Sequence, residues 1–227
     1  MAASCVPAIS IGSSALHWDG NALVISFDEI AVPFPRRVKG RVRLLPGCLP
    51  GLRYAIDGHG RHHWQPIAPI ARVEAQFSHP SLEWSGDAYF DHNHGDEPLE
   101  SGFVRWDWSR QSMKTRARLL YDLSPRAGPA ESLAIEISGS GAVSHFEGPP
   151  RVSLPRSNWR VARGTRCDGG QRASIRSSLE DAPFYARSVI ETSINGDTTP
   201  SLHESLDLNR FRAPVVQAML PFRMPRR

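Results

Sequence analysis

RHHWQPIAPIARVEAQFSHPSLEWSGDAYFDHNHGDEPLESGFVRWDWSR, residues 61–110, decides how this chain folds. From Ile70 to Phe77 apolar and polar side chains alternate, and the same period of two returns in Ala88–Asp91 and Gly102–Trp108. Alternation at period two is the mark of a strand with one face in a core and one in water. Working outward, strands are predicted at 21–27, after the Asp19-Gly20 turn, and at 39–44, which stops at Pro46-Gly47. Further strands are predicted at 116–122, 132–137, 157–164 and 184–194, the last closing on Asn195-Gly196, a type I′ hairpin signal. Asp122–Glu131 reads as a loop, and Ser201–Arg210 as a short helix. The expected class is all-β, a barrel or a pair of barrels.

Composition agrees. The 227 residues include 19 prolines and 18 glycines spread along the chain, as many short strands joined by turns require. With 40% hydrophobic and 22% charged residues, the chain has the composition of a folded protein. Net charge is +4, concentrated in Arg36–Arg43 and in the tail Arg223–Arg227. Neither cluster carries the aromatic interleaving of a nucleic-acid module, so a solvated face weakly attracted to anionic lipid is expected, and no nucleic acid. Cys5, Cys48 and Cys167 lack CxxC spacing and point to a reducing compartment. No apolar run approaches the roughly 18 residues that span a bilayer. The first residues also lack the basic and apolar regions of a signal peptide.

The same fifty residues hold the chemistry. Period two puts Tyr89 and Asp91 on one face of their strand, and His62 and Trp64 on one face of theirs. If those faces lined one cavity, a carboxyl group kept protonated by desolvation would sit among rings able to stabilise a cation. An imidazole beside it could deprotonate a water. The plainer alternative is a buried aspartate capping a turn beside a core Tyr–Trp pair. His59, His62, His63, His92 and His94 lack the helical spacing of common zinc enzymes, so no metal is expected. Trp106 and Trp108 share a face that is either core or pocket wall.

Several runs together resemble the carotenoid 1,2-hydratases, the hydroxyneurosporene synthases. They are Ser14–Trp18, Ile25–Ile30, Trp64–Pro69, Trp84–Asn93, Pro98–Glu100, Phe103–Trp108, Asp181–Arg187, His203–Leu208 and Arg210–Arg212, in order and spacing. The resemblance implies a lipocalin-like double β-barrel, with one β unit over 1–105 and another over 106–227. It implies a cofactor-independent hydro-lyase that adds water across the terminal C1=C2 bond of acyclic carotenes such as neurosporene and lycopene. Asp91 takes the place of the acid, with His62, Trp64 and Tyr89 as water-positioning and pocket residues; Trp84, Trp106, Trp108 and His92 are the further substrate-binding candidates. A cytoplasmic protein in peripheral contact with membrane lipid is the expectation. Two departures stand out. Family members carry a further N-terminal stretch ahead of the Ser14 region, which predicts an open or incomplete first barrel here, and His94 stands where an aromatic residue is expected. The competing readings are a noncatalytic lipocalin-like carrier of an apolar ligand, and a related barrel that cyclises or isomerises an apolar natural product.

Overall fold

In the computed structural model, which describes residues 8–31 and 34–220, strands dominate. They are β1 (Ala8–Ile11), β2 (Ser14–Trp18), β3 (Leu23–Ala31), β4 (Arg36–Pro46), β5 (Tyr54–Ala55), β6 (His62–His79) and β7 (Ser81–Gly95). After the single turn α1 (Leu99–Gly102) come β8 (Phe103–Ser112), β9 (Arg116–Pro125), β10 (Glu131–Ser138), β11 (Val143–His145), β12 (Arg151–Leu154) and β13 (Arg163–Arg166). The chain continues with β14 (Ser174–Asp181), β15 (Tyr185–Ile194), β16 (Asp197–Asp207), α2 (Leu208–Phe211) and α3 (Pro214–Met219). The expected all-β class is what is observed, as two large antiparallel sheets. One large sheet has the order β1-β2-β3-β4-β6-β5 with β7 also on β6; the other runs β11-β10-β9-β8-β16-β15-β14; β12 and β13 form a small pair. Cys5 and the basic tail Arg223–Arg227 lie outside the described residues. No described helix is long and apolar enough to cross a membrane.

The chain divides into two compact units, one of residues up to 50 with 66–91, the other of 51–65 with 92 onward. In the first, alternation on β6 buries Ala71, Val73 and Ala75 and turns Arg72, Glu74 and Gln76 outward. Leu44, Ala68 and Ala71 form a core against which Leu23, Ala88 and Phe90 pack. Gly40 on β4 is a close-approach position: a Cβ there would lie 2.8 Å from the Gln76 carbonyl oxygen. On the solvent face Arg37 and Lys39 both reach Asp28, at 2.6 and 3.2 Å, and Arg43 reaches Glu74 at 3.1 Å.

The second unit has an unusually polar interior. Asp107 on β8, 3% exposed, accepts from Arg105 (2.8 Å), Ser205 Oγ (2.5 Å), the Gly164 N–H (3.1 Å) and Arg151. His203 Nε2 lies 2.8 Å from the Gly164 carbonyl oxygen, Arg163 donates to Ser188 Oγ at 2.9 Å, and Arg166 grips both oxygens of Asp122. These bonds fasten β13 onto the face of β8, β15 and β16 with charge and hydroxyls where most cores use methyl groups. Each buried polar atom so engaged avoids the desolvation cost of standing alone. Burial lowers the pKa of His203 most, only partly countered by Gly164 and Asp107, so the ring is held neutral.

Three sequence expectations are corrected. Ser201–Arg210 is a strand through Asp207, with helix only from Leu208. Leu202 and Leu206 have helical spacing, but β8 and β15 hydrogen-bond to the two edges of this segment and bury Ser201, His203 and Ser205 on one face. The predicted strand 157–164 is largely a turn, because the Asp181 carboxylate accepts from the N–H groups of Asn158 (2.6 Å) and Trp159 (3.4 Å) and Arg160 takes φ 64°. The loop predicted at 122–131 is shorter, since β9 runs on to Pro125. The Asn195-Gly196 turn is as expected: both residues have positive φ (51° and 82°) and Ile194 pairs with Asp197. Cys48 and Cys167 form no disulfide.

Candidate functional site

On β7 the hydrophobic alternation decides where the acid goes. Ala88 and Phe90 pack against the first unit's core, so Tyr89 and Asp91 project from the opposite face. Both are half-buried, and the Tyr89 hydroxyl donates to Asp91 Oδ2 at 3.0 Å. The pair sets a phenol and a carboxyl group side by side on one face of the strand. Trp84, on the same strand, is 47% exposed.

In the second unit, His62 and Trp64 at the start of β6 are both fully buried. The His62 N–H donates to Asp57 Oδ1 at 2.8 Å and its carbonyl accepts from Ile56, which pins the backbone. The ring meets Phe103 edge-on at 5.0 Å, and Nε2 lies 3.4 Å from Glu97 Oε1. Two glycines close the cage. A Cβ on Gly95 would fall 2.4 Å from Nδ1, and one on Gly102 2.6 Å from Nε2. Gly95→Ala and Gly102→Ala should therefore each cost about 1–3 kcal/mol of stability, because the imidazole has nowhere to retreat. Thermal unfolding checks this; wild-type midpoints for both variants would refute the cage.

Trp64 begins a chain of rings. It lies 5.8 Å from Tyr54 and 5.4 Å from Tyr121; Tyr121 meets Trp106 edge-on at 5.8 Å, and Trp106 meets Phe103 at 6.2 Å. Edge-to-face pairs at these distances are favourable and leave π faces in a fixed orientation. Sequence reasoning selected Trp64 and Trp106 and missed Tyr54, Phe103, Tyr121 and Glu97. The available signal for Tyr121 was its place in the apolar run of β9, which pairs it with Trp108. Trp108 itself is buried (6% exposed).

His92, His94 and His63 form a stack of nearly parallel imidazoles, with centroids 5.0 and 5.2 Å apart and interplanar angles of 15° and 11°. His94 thus supplies the flat ring expected at its position. Burial, then the charges of Arg53, His92 and His63, lower its pKa against the opposing pull of Asp96. A histidine whose folded pKa is depressed contributes its full stability above the unfolded value, and loses it as pH falls toward the folded value. The stack should therefore loosen below about pH 6.5. His94→Phe should keep the packing and remove that part of the acid sensitivity, read by thermal midpoints across pH 5–8. An unchanged pH profile in the variant would refute it. Among the described residues, no group of three or more His, Cys, Asp or Glu side chains could hold a metal ion.

Comparison with known proteins bears on this arrangement. A sequence model described as carotenoid hydratase CrtC matches residues 4–227. The chain belongs to that family. It is 50% identical over 219 residues to a Thiocapsa roseopersicina protein named acyclic carotenoid 1,2-hydratase, covering 96% of this chain and 54% of the relative. Proteins of the same name from Rubrivivax gelatinosus and Rhodobacter capsulatus are 44% and 41% identical, again over 96% of this chain and over 54% and 78% of their own lengths. The chain thus spans about half the length of the first two of these relatives. Among solved structures, an AttH-type protein of Nitrosomonas europaea superposes with TM-score 0.59 at 12% identity, covering 88% of this chain and 68% of that one. CghA, solved with Sch210972, superposes at 0.52 and 10%, covering 86% and 67%. These two likenesses are of fold alone.

Proposed function

We propose that the chain hydrates the terminal C1=C2 double bond of acyclic carotenoids such as neurosporene and lycopene, giving a tertiary alcohol in carotenoid biosynthesis. The observation that carries this is the Tyr89–Asp91 pair at 3.0 Å in a chain of the carotenoid hydratase family. The carboxylic acid of Asp91 gives its proton to C2. The alkene π electrons form the new C–H bond, leaving a tertiary cation at C1. The Tyr89 ring, on the same strand face as Asp91, stabilises that cation. A water oxygen then bonds to C1, a second water carries its surplus proton to solvent, and Asp91 recovers a proton from solvent. The net change is one water per double bond. Trp84, exposed on the strand that carries Asp91, is assigned to holding the polyene. Acid and water account for every bond made and broken, so this scheme invokes no cofactor.

The substrate dissolves in membranes rather than in water, so the enzyme is assigned a peripheral place at the lipid surface on the cytoplasmic side. Anaerobic incubation of the purified protein with lycopene in liposomes, followed by chromatography and mass spectrometry, tests the function. A product heavier by one water is the expected result. Recovery of unchanged lycopene by a folded protein would overturn it.

A further inference from the structure

The strand registers of the first unit bring three hairpin ends together. Ile11 pairs with Ser14 across the β1–β2 turn, and the Ser13 and Ser14 hydroxyls bond to Asp28 and Glu29 near the end of β3. Ala31 pairs with Arg36 at the β3–β4 end, and Lys39, three residues further along β4, pairs with His79 at the β6–β7 end. At this edge large apolar side chains stand in solvent: Ile11 is 74% exposed, Ile30 60%, Phe34 76% and Leu82 50%. A soluble surface rarely gathers such residues without a partner.

The neighbouring charges say which partner. Arg36, Arg37, Lys39 and Arg41 follow one another along β4; Asp28 pairs with Arg37 and Lys39, whereas Arg36 and Arg41 have no ion-pair partner among the described residues. Beside them opens a concavity of about 630 Å³ whose wall includes Phe27, Phe77, Lys39 and Arg41. Apolar tips set beside unpaired cations are complementary to an anionic bilayer, the apolar groups entering the acyl boundary and the cations meeting headgroup phosphates.

We infer that Ile11, Ile30, Phe34 and Leu82, with Arg36 and Arg41 beside them, form the surface by which this protein docks on an anionic lipid bilayer. The inference deepens the assigned role, since a polyene in a membrane must be met at its surface, but its test needs no carotenoid. Purified protein is co-sedimented with vesicles of phosphatidylcholine alone or mixed equally with phosphatidylglycerol. Binding to the mixed vesicles, weakened by salt and slight on phosphatidylcholine alone, is expected. Phe34→Asp with Leu82→Asp should weaken it by about tenfold or more. Arg36→Glu with Arg41→Glu should abolish the preference for phosphatidylglycerol while leaving the thermal midpoint unchanged. Absent vesicle binding would overturn the inference, as would binding indifferent to both pairs. So would light scattering that shows these tips buried in a dimer which the substitutions dissolve. Wild-type protein that binds vesicles yet yields no hydrated lycopene would refute the hydratase proposal and leave the docking surface standing.

Discussion

Asp91→Asn should abolish carotenoid hydration, lowering kcat by about 10²–10⁴-fold while leaving polyene affinity within a factor of about two. The substitution keeps shape and volume, and the Tyr89 hydroxyl, 3.0 Å from Asp91 Oδ2 in the wild type, still finds an acceptor. What is lost is the proton, because an amide cannot protonate an alkene. Tyr89→Phe should have a smaller effect of the same kind, about tenfold in kcat, since it removes one hydrogen bond to the carboxylate formed as the proton leaves. Lycopene hydration followed by product analysis, with affinity read from the polyene's absorption change, separates the two steps. Substantial turnover by Asp91→Asn would remove the aspartate from its role, and a loss of affinity matching the loss of rate would make it a binding residue.

Asp107→Ala should destabilise the second unit by about 3–5 kcal/mol, the range for breaking a buried charged network from one side. The carboxylate is almost entirely enclosed and joins Arg105, Arg151, Ser205 and the Gly164 N–H. Removing it strands a hydroxyl and a backbone donor in the interior and sets two guanidinium groups against each other. At a few degrees per kcal/mol for a chain of this size, the unfolding midpoint should fall by roughly 10 °C. Asp107→Asn should lie between, because its amide oxygen still accepts from Gly164 or Ser205 while its NH₂ opposes the arginines. Denaturant unfolding measures both variants. A loss below about 1 kcal/mol for the alanine would show that β13 is held by the surrounding bonds without this hub.

Much of the fold was legible because alternation is local. Ile70–Phe77 reads as a strand from its own side chains, and Asn195-Gly196 reads as a turn because both residues tolerate positive φ. The extent of β6 was harder to read, since Pro66 and Pro69 interrupt the pattern. They are accommodated because they fall between the ladder to β5 at His63–Trp64 and the ladder to β4 from Ala71 onward, where no N–H is required from them on that side. The segment Ser201–Asp207 could not be settled locally. Its leucine spacing suits a helix, and only hydrogen bonding by β8 and β15 to both edges makes it a strand.

The candidate site divides the same way. That Tyr89 and Asp91 share a face, turned away from the core that takes Ala88 and Phe90, follows from the period of two along one strand and was determined by the sequence alone. That His62 is enclosed by Gly95, Gly102, Phe103 and Glu97, and that Tyr121 joins Trp64 to Trp106, was decided only by tertiary structure. Side-chain alternation is a steric property of each residue and its neighbours. Which ring meets which depends instead on the register of strands brought together from distant parts of the chain, where competition for buried surface and hydrogen-bonding edges selects the partner.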